Sequence, residues 1–439
     1  MHSISLNFLL VTLLSITTFQ SVHSNDDEKF TGTSLIKNAI ITRTDISQLA
    51  SITESIRRMY QECEREDYHT AYKMYTSTHS SKYFLKEIAT KDDFQNTGLF
   101  YAFQMYGLTA GRFDQFSDKT PYTNFADVYI ETQFNSTIKK NDSNNNYYYG
   151  DAAASRCKKA ATASVWQVLF LQAQHELWDA MKDCQISGDP NYSNEAAGIP
   201  DHNAKADEFI AYWVGSLNDS LETKSKYSLF SSTNEISKYF DTMEHKVASV
   251  NTKIIEGYQS LSALLSHDDS CDEDRAPRTL KAMWKINNMI TPQMMVPLIQ
   301  HLIRSMLVEE ENDLIEVYAK MVVPQMAQCR HSTYSYLQTT LLDSAFDKTK
   351  IHDIMKALQD SYGCLGITCE DVGVPADFKT DTLLSCKDSD YSRPVLAGYI
   401  ATTDVREEAM VDLDLHQMNL LVSSSFVYES PEIFLLYPR

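Results

Sequence analysis

The chain has 439 residues, a formal charge of -20 at neutral pH, 13 glycines and 11 prolines. An acidic balance of that size argues against nucleic acid or anionic membrane as a partner and is compatible with cations. Glycine and proline both stand near half their usual share, which suits long helices and speaks against a many-turned β protein or a glycine-rich phosphate loop.

Met1 to Ser24 carries an apolar run from Leu6 to Phe19, with Val22 and Ser24 before Asn25 in the pattern of a cleaved secretory signal. No later stretch offers about 18 consecutive apolar residues, so a soluble secreted protein without an encoded anchor is expected. The eight cysteines, an even number, favour disulfides in that compartment. Four sequons, at Asn135, Asn141, Asn191 and Asn218, are candidate glycosylation sites and fit it too.

Residues 25 to 33 are polar. A helix is expected to start at Thr44-Asp45, either of which can cap it, with Ile46, Leu49, Ile56, Met59, Tyr60 and Cys63 on its apolar face. A second helical piece covers Tyr68 to Tyr75. Phe100 to Phe116 reads as short helix and turn, and Asn141 to Gly150 as a loop by composition. Ala160 to Met181 is the strongest helix of the first half, burying Val165, Val168, Leu169, Ala173, Leu177 and Met181.

Lys205 to Leu217 carries a helical stripe of Phe209, Ile210, Trp213, Val214 and Leu217. Ser216 to Thr233 is serine-rich and marks a candidate lobe boundary. Ile236 to Leu265 reads as one or two helices, followed by an acidic loop around Cys271. Ile290 to Val308 is a helix with Met295, Leu298, Leu302 and Met306 inward, where Pro297 kinks it or sets its first turn. Leu314 to Met326 and Thr339 to Leu342 add further helical pieces. Ile351, Ile354, Met355, Leu358 and Tyr362 form one more face, and Gly363 is expected to close that helix with positive φ.

Apolar spacing near 3.6 runs almost throughout, so the expected fold is mainly α, a multi-helix, two-lobed protein stapled by disulfides. The lobes are residues 25 to 225 and 226 to 395. Residues 396 to 439 read as a partial repeat, because Ile41 to Ile46 echoes Ile400 to Val405, and Met59 and Met418 each follow fourteen residues after the aspartate.

The sequence lacks G-x-S-x-G, H-E-x-x-H, a Walker A loop and C-x-x-C, which lowers an enzymatic reading. His175 and Asp179 are four apart and share a helix face, as metal ligands or as a solvated polar stripe. Glu208 and Tyr212 repeat that spacing; the phenolate is a hard oxygen donor that ferric iron can deprotonate, while the alternative is a rim tyrosine packing on the core. Arg304 can hold a small planar anion through its fork of donors, or pair with Glu309 or Glu310. Asp268 to Asp274 could attract a cation but lacks EF-hand spacing and reads as an exposed turn. Cys364 and Cys369 enclose four residues and read first as thiolate ligands. In an oxidising compartment they read as disulfide partners of each other or of Cys271, Cys329 or Cys386, with Cys157 and Cys184 as further candidates.

Four segments resemble one family. KADEFIAYWVGSL (Lys205 to Leu217) is similar to its acidic, aromatic "D-E-A-V-A-F-Y-x-G-S-L" helix, and QMMVPLIQHLIRS (Gln293 to Ser305), YGCLGITCEDVG (Tyr362 to Gly373) and AGYIATTDVREEAMVDLDL (Ala397 to Leu415) follow in the same order. The family is the low-iron-inducible periplasmic, or iron-assimilating, proteins of algae and diatoms, the phytotransferrins. The resemblance implies a non-enzymatic helical protein, secreted, on the cell surface or in the periplasmic space, that takes part in iron acquisition. It also implies ferric iron bound with carbonate, and a membrane-bound receptor or reductase as partner. On that reading Tyr212, Glu208 and Asp404 are the first ligands, His175 and Asp179 the next, and Arg304 anchors the anion. The chain departs from the family in three places: His301 stands where it tends to have glycine, Ser225 to Ser232 replaces a cysteine-containing segment, and no C-terminal membrane segment is expected. The alternative is a wall or surface interaction protein that keeps the helical scaffold without the metal.

Overall fold

The structure is a computed structural model and describes residues 40–77, 84–90, 125–140, 147–149, 152–188, 201–216, 227–267, 269–329, 331–375, 395–396 and 399–400. The first half holds α1 (Ser47–Ala50), α2 (Ile52–Glu64), α3 (Tyr68–Thr76), α4 (Leu85–Ala89), α5 (Phe125–Thr137) and α6 (Ala153–Ala163). A π-helical segment (Ser164–Leu169) leads into α7 (Phe170–Ser187), and α8 (His202–Val214) lies beside it. The second half holds α9 (Leu229–Tyr239), α10 (Ser249–Leu264), the long α11 (Ala276–Leu307), a 3-10 turn (Glu309–Leu314), α12 (Ile315–Cys329), α13 (His331–Leu341), α14 (Ile351–Gln359) and α15 (Cys369–Val372). The fold is mainly α, as the spacing predicts.

The apolar faces read from the sequence are the ones buried. Ile56, Met59, Tyr60 and Cys63 of α2, then Val165, Val168, Leu169, Ala173, Leu177 and Met181, and Met295, Leu298, Leu302 and Met306 of α11 all join one continuous hydrophobic core. Local chemistry fixes the helix starts. Asp67 accepts from the Thr70 amide at 3.0 Å and Asp201 from the Ala204 amide at 2.9 Å, while Ser228 and Ser231 form a reciprocal capping box.

Several expectations are corrected. The loop expected over Asn141 to Gly150 contains a strand, Tyr147–Tyr149, antiparallel to Ile138–Lys140. The run Ile236 to Leu265, by contrast, takes the second of its two readings: it is two helices, α9 and α10, separated by a hairpin in which Met243–Glu244 pairs with Val247–Ala248; His245 and Lys246 both take positive φ, the geometry of a tight hairpin turn. Pro297 does not set a first turn, since α11 begins at Ala276 and carries Pro292 and Pro297 inside it. Gly363 is not the residue of positive φ after α14: Gly366 takes that role at φ 71, and open space surrounds Gly363.

Two disulfides join elements distant in sequence, Cys63–Cys157 between α2 and α6 and Cys184–Cys271 between α7 and the segment before α11. Cys63 stands on an apolar helix face and gives no sequence sign of its role. Pairing with Cys184 removes Cys271 as a partner for the Cys364 loop. Cys364 and Cys369 are both disulfide-bonded, which rules out the thiolate-ligand reading. No helix among the described residues is long and apolar enough to cross a membrane.

Candidate functional site

The polar faces of α7 and α8 meet in a seam that gathers three of the predicted site residues, His175, Asp179 and Glu208. His175 Nε2 lies 3.1 Å from Asp179 Oδ2. One position along, Glu176 is 1% exposed and accepts from Gln172 on Oε1. Lys205 bridges the two helices, its Nζ 2.7 Å from Glu176 Oε2 and 2.9 Å from Glu208 Oε2.

The electrostatics follow from burial and sign. Burial works against the Lys205 ammonium, but Glu176 and then Glu208 outweigh it and hold the amine above the ordinary lysine range. Burial, reinforced by Glu176, pushes the Glu208 carboxyl up. Burial also acts on Asp179, yet the bond from His175 prevails and keeps that carboxyl low. Asp183, one turn further, is pushed up by burial and by Asp179. The space between Glu176 and Glu208 is therefore filled by an ammonium, where a ligand pair would hold a metal.

Tyr212 is 1% exposed, inside the core layer of Phe209 and Trp213 rather than on a rim. Asp404 lies outside the described residues, as do Asn141, Asn191 and Asn218. Asn135 is exposed at the end of α5, 3.4 Å from Glu131. Among the described residues no group of three or more His, Cys, Asp or Glu side chains is placed to hold a metal ion.

Arg304 stands apart from that seam. Its Nη2 lies 3.0 Å from Glu311 Oε1, neither Glu309 nor Glu310, and the guanidinium sits 5.3 Å above the Tyr239 ring. On the same helix the His301 ring stacks on Tyr318 with centroids 4.9 Å apart and meets the edge of Trp166 at 5.0 Å. His301 Nε2 is 3.0 Å from Ser232 Oγ. Two of the three departures from the family pattern thus touch each other. Trp166 reaches them from the π-helical segment, whose extra residue per turn displaces side chains from regular α register.

The family-like segments are joints of the fold. Asp207 of KADEFIAYWVGSL is 2% exposed and accepts from the Arg43 amide (2.8 Å), the Thr44 amide (2.8 Å), Thr44 Oγ1 (2.9 Å) and the Tyr258 hydroxyl (2.7 Å). Thr44 is therefore spent on Asp207, and the expectation that Thr44 or Asp45 caps the first helix is corrected: the N-cap is Ile46, without a side-chain cap, and Asp45 only accepts from the Ser47 amide at 3.0 Å. Gly215 ends α8 at φ +72, and a Cβ there would stand 2.4 Å from Thr53 Cγ2. Gln300 of QMMVPLIQHLIRS donates to the Val372 carbonyl at 2.7 Å and to Thr242 Oγ1 at 3.2 Å, tying α11 to the end of YGCLGITCEDVG. In that segment Asp371 caps Thr368 reciprocally and pairs with Lys253 at 2.6 Å.

One cluster escaped sequence reasoning. On α3, Tyr72 donates to Glu131 of α5, 3.0 Å from Oε1 and 3.1 Å from Oε2, and Tyr75 donates to Asp127 Oδ1 at 2.8 Å. Lys86 of α4 pairs with Glu131 at 2.6 Å. The available signal was the spacing: two tyrosines three apart on one helix and two carboxylates four apart on another. Nothing in the sequence pairs the helices.

The arrangement defines a mainly α protein, stapled by disulfides, with its polar groups gathered at helix–helix seams. Comparison with protein-family models, with curated proteins and with solved structures finds no match for this chain.

Proposed function

We propose that the protein is a non-enzymatic, extracellular iron-binding protein of iron acquisition, taking ferric iron, with carbonate as the accompanying anion, and passing it to a membrane-bound receptor or reductase. The observation that carries this reading is that three segments of the family resemblance meet other parts of the core through their distinguishing residues: Asp207 and Gly215 in the first, Gln300 in the second, Asp371 in the third. Residues that match by chance have no reason to occupy the joints of a fold. The net charge of -20 and the abundance of buried oxygen donors agree with a hard cation as cargo.

A second reading has its own support. Lys205 already compensates Glu176 and Glu208, and Arg304 already pairs with Glu311, so this scaffold holds together without metal or anion at those positions. Such a protein would serve as a surface interaction module. Titration of the purified full chain with ferric nitrilotriacetate, with and without bicarbonate, separates the two. A visible phenolate-to-iron band supports iron binding; its absence under both conditions removes that reading and leaves the scaffold.

A further inference from the structure

We propose that Tyr72, Tyr75, Asp127 and Glu131 form a site for a trivalent hard cation, with Lys86 as its fixed counter-charge. The proposal rests on the iron-binding reading above, takes the ion without the carbonate of that reading, and locates the metal away from Tyr212 and Glu208.

The donors come from two helices held in one core. Tyr72 and Tyr75 both abut Phe134 of α5, at ring centroid distances of 5.2 and 6.5 Å, which fixes how α3 faces α5. Each phenol then meets a carboxylate across the seam at 2.8 to 3.1 Å. In an octahedral site with metal–oxygen bonds of about 2.0–2.1 Å, neighbouring ligand oxygens stand about 2.9 Å apart. Both phenol–carboxylate pairs already have the spacing of neighbouring ligands. The three- and four-residue intervals keep the two pairs within a single helical turn of each other.

Charge distinguishes this cluster from the α7–α8 seam. There, one ammonium touches both carboxylates. Here, among the described residues, Lys86 touches Glu131 alone, and the hydrogen-bond partner of Asp127, which is 7% exposed, is the neutral Tyr75 hydroxyl. Among the described residues no cation is in contact with this carboxylate, and Lys86 acts on it only at a distance. Without a metal the phenols stay protonated. A ferric ion breaks both phenolic O–H bonds, the protons leave to solvent, and no electron moves. Two phenolates, two carboxylates, one tricharged ion and the Lys86 ammonium then sum to zero, whereas a divalent ion would leave one negative charge uncompensated. Phenolate donors and this balance both select the trivalent ion. Glu131 and Lys86, with side-chain exposures of 17% and 36%, form the edge through which it enters.

The test uses the full chain and ferric nitrilotriacetate. The wild type is expected to develop the phenolate-to-iron band and to release two protons per ion bound in weakly buffered solution. Tyr72→Phe/Tyr75→Phe is expected to lose the band and roughly 100-fold or more in apparent affinity, and Asp127→Asn to weaken binding with the band retained. Tyr212→Phe should change neither, and an unaltered thermal midpoint in the double variant shows that folding is not the cause. A wild-type band that persists in the double variant overturns this site while leaving the iron-binding reading intact; absence of any band in the wild type overturns both.

Discussion

Replacing Asp207 by alanine removes the acceptor of four hydrogen bonds at once. Three of them, from the Arg43 amide, the Thr44 amide and the Thr44 hydroxyl, fall on Oδ2, and Tyr258 donates to Oδ1. Hydrogen bonds to a charged group contribute about 1.5–3 kcal/mol each, and a buried donor left without a partner costs about 1–3 kcal/mol. The sum overestimates the loss, because Arg43 is exposed and residues 40–46 can turn their amides to water by peeling away from α8. Tyr258 is 1% exposed and cannot turn to water, and the Ile41 carbonyl at 3.3 Å is the acceptor left to it. The expected loss is about 3–5 kcal/mol, a large part of the roughly 5–15 kcal/mol by which folded proteins are stable. Urea unfolding with the disulfides intact measures it, and amide exchange at Arg43 and Thr44 should quicken in parallel. Asp207→Asn sharpens the case. Its remaining oxygen can keep the three contacts of Oδ2 while its amide turns to the Tyr258 hydroxyl, so about 1 kcal/mol is expected. A loss below about 1 kcal/mol for Asp207→Ala would refute the claim that this carboxylate anchors the N-terminal segment.

Gly215→Ala should cost about 2–4 kcal/mol in the same assay, since the position needs positive φ and the new methyl would stand 2.4 Å from Thr53 Cγ2; a neutral effect would mean that α8 does not end as described. Lys205→Met should cost about 3–5 kcal/mol, because Glu176 stays 1% exposed without its cation, and it should leave any ferric band unchanged. Asp183→Asn should raise the thermal midpoint at neutral pH. Burial and Asp179 raise this carboxyl above its unfolded value, so its ionised form opposes folding above the raised pKa, and below the unfolded value both states are protonated and the gain vanishes. An equal gain at all pH values would contradict that cause.

The helices were legible because burial enforces a 3.6-residue period, and faces such as that of Met295, Leu298, Leu302 and Met306 could be read directly. What escaped depends on where helices meet. The pairing of Cys63 with Cys157 bridges 94 residues, and spacing within one helix says nothing about a partner that distant. Glu208 and Tyr212 lie four apart on one helix, but that Glu208 meets Lys205 while Tyr212 enters the core depends on how α7 packs against them. Thr44 looked like a helix cap because threonine is a good one; Asp207, over 160 residues away, competes for the same hydroxyl. The Tyr72 and Glu131 cluster was hidden for the same reason, since tyrosines at helical spacing read as core until the facing carboxylates are known. Gly366 rather than Gly363 takes positive φ because the chain makes further turns after α14 before it reverses.

The central proposal is that this scaffold carries ferric iron between the Tyr72 and Tyr75 phenols and the Asp127 and Glu131 carboxylates. Crystals of the iron-loaded full chain, measured at the iron absorption edge, test it most directly. The account predicts an anomalous peak within about 2.2 Å of the Tyr72 and Tyr75 hydroxyl oxygens, with Asp127 and Glu131 completing the contact. A peak at Tyr212 and Glu208, or no bound iron in protein loaded with bicarbonate present, would contradict it.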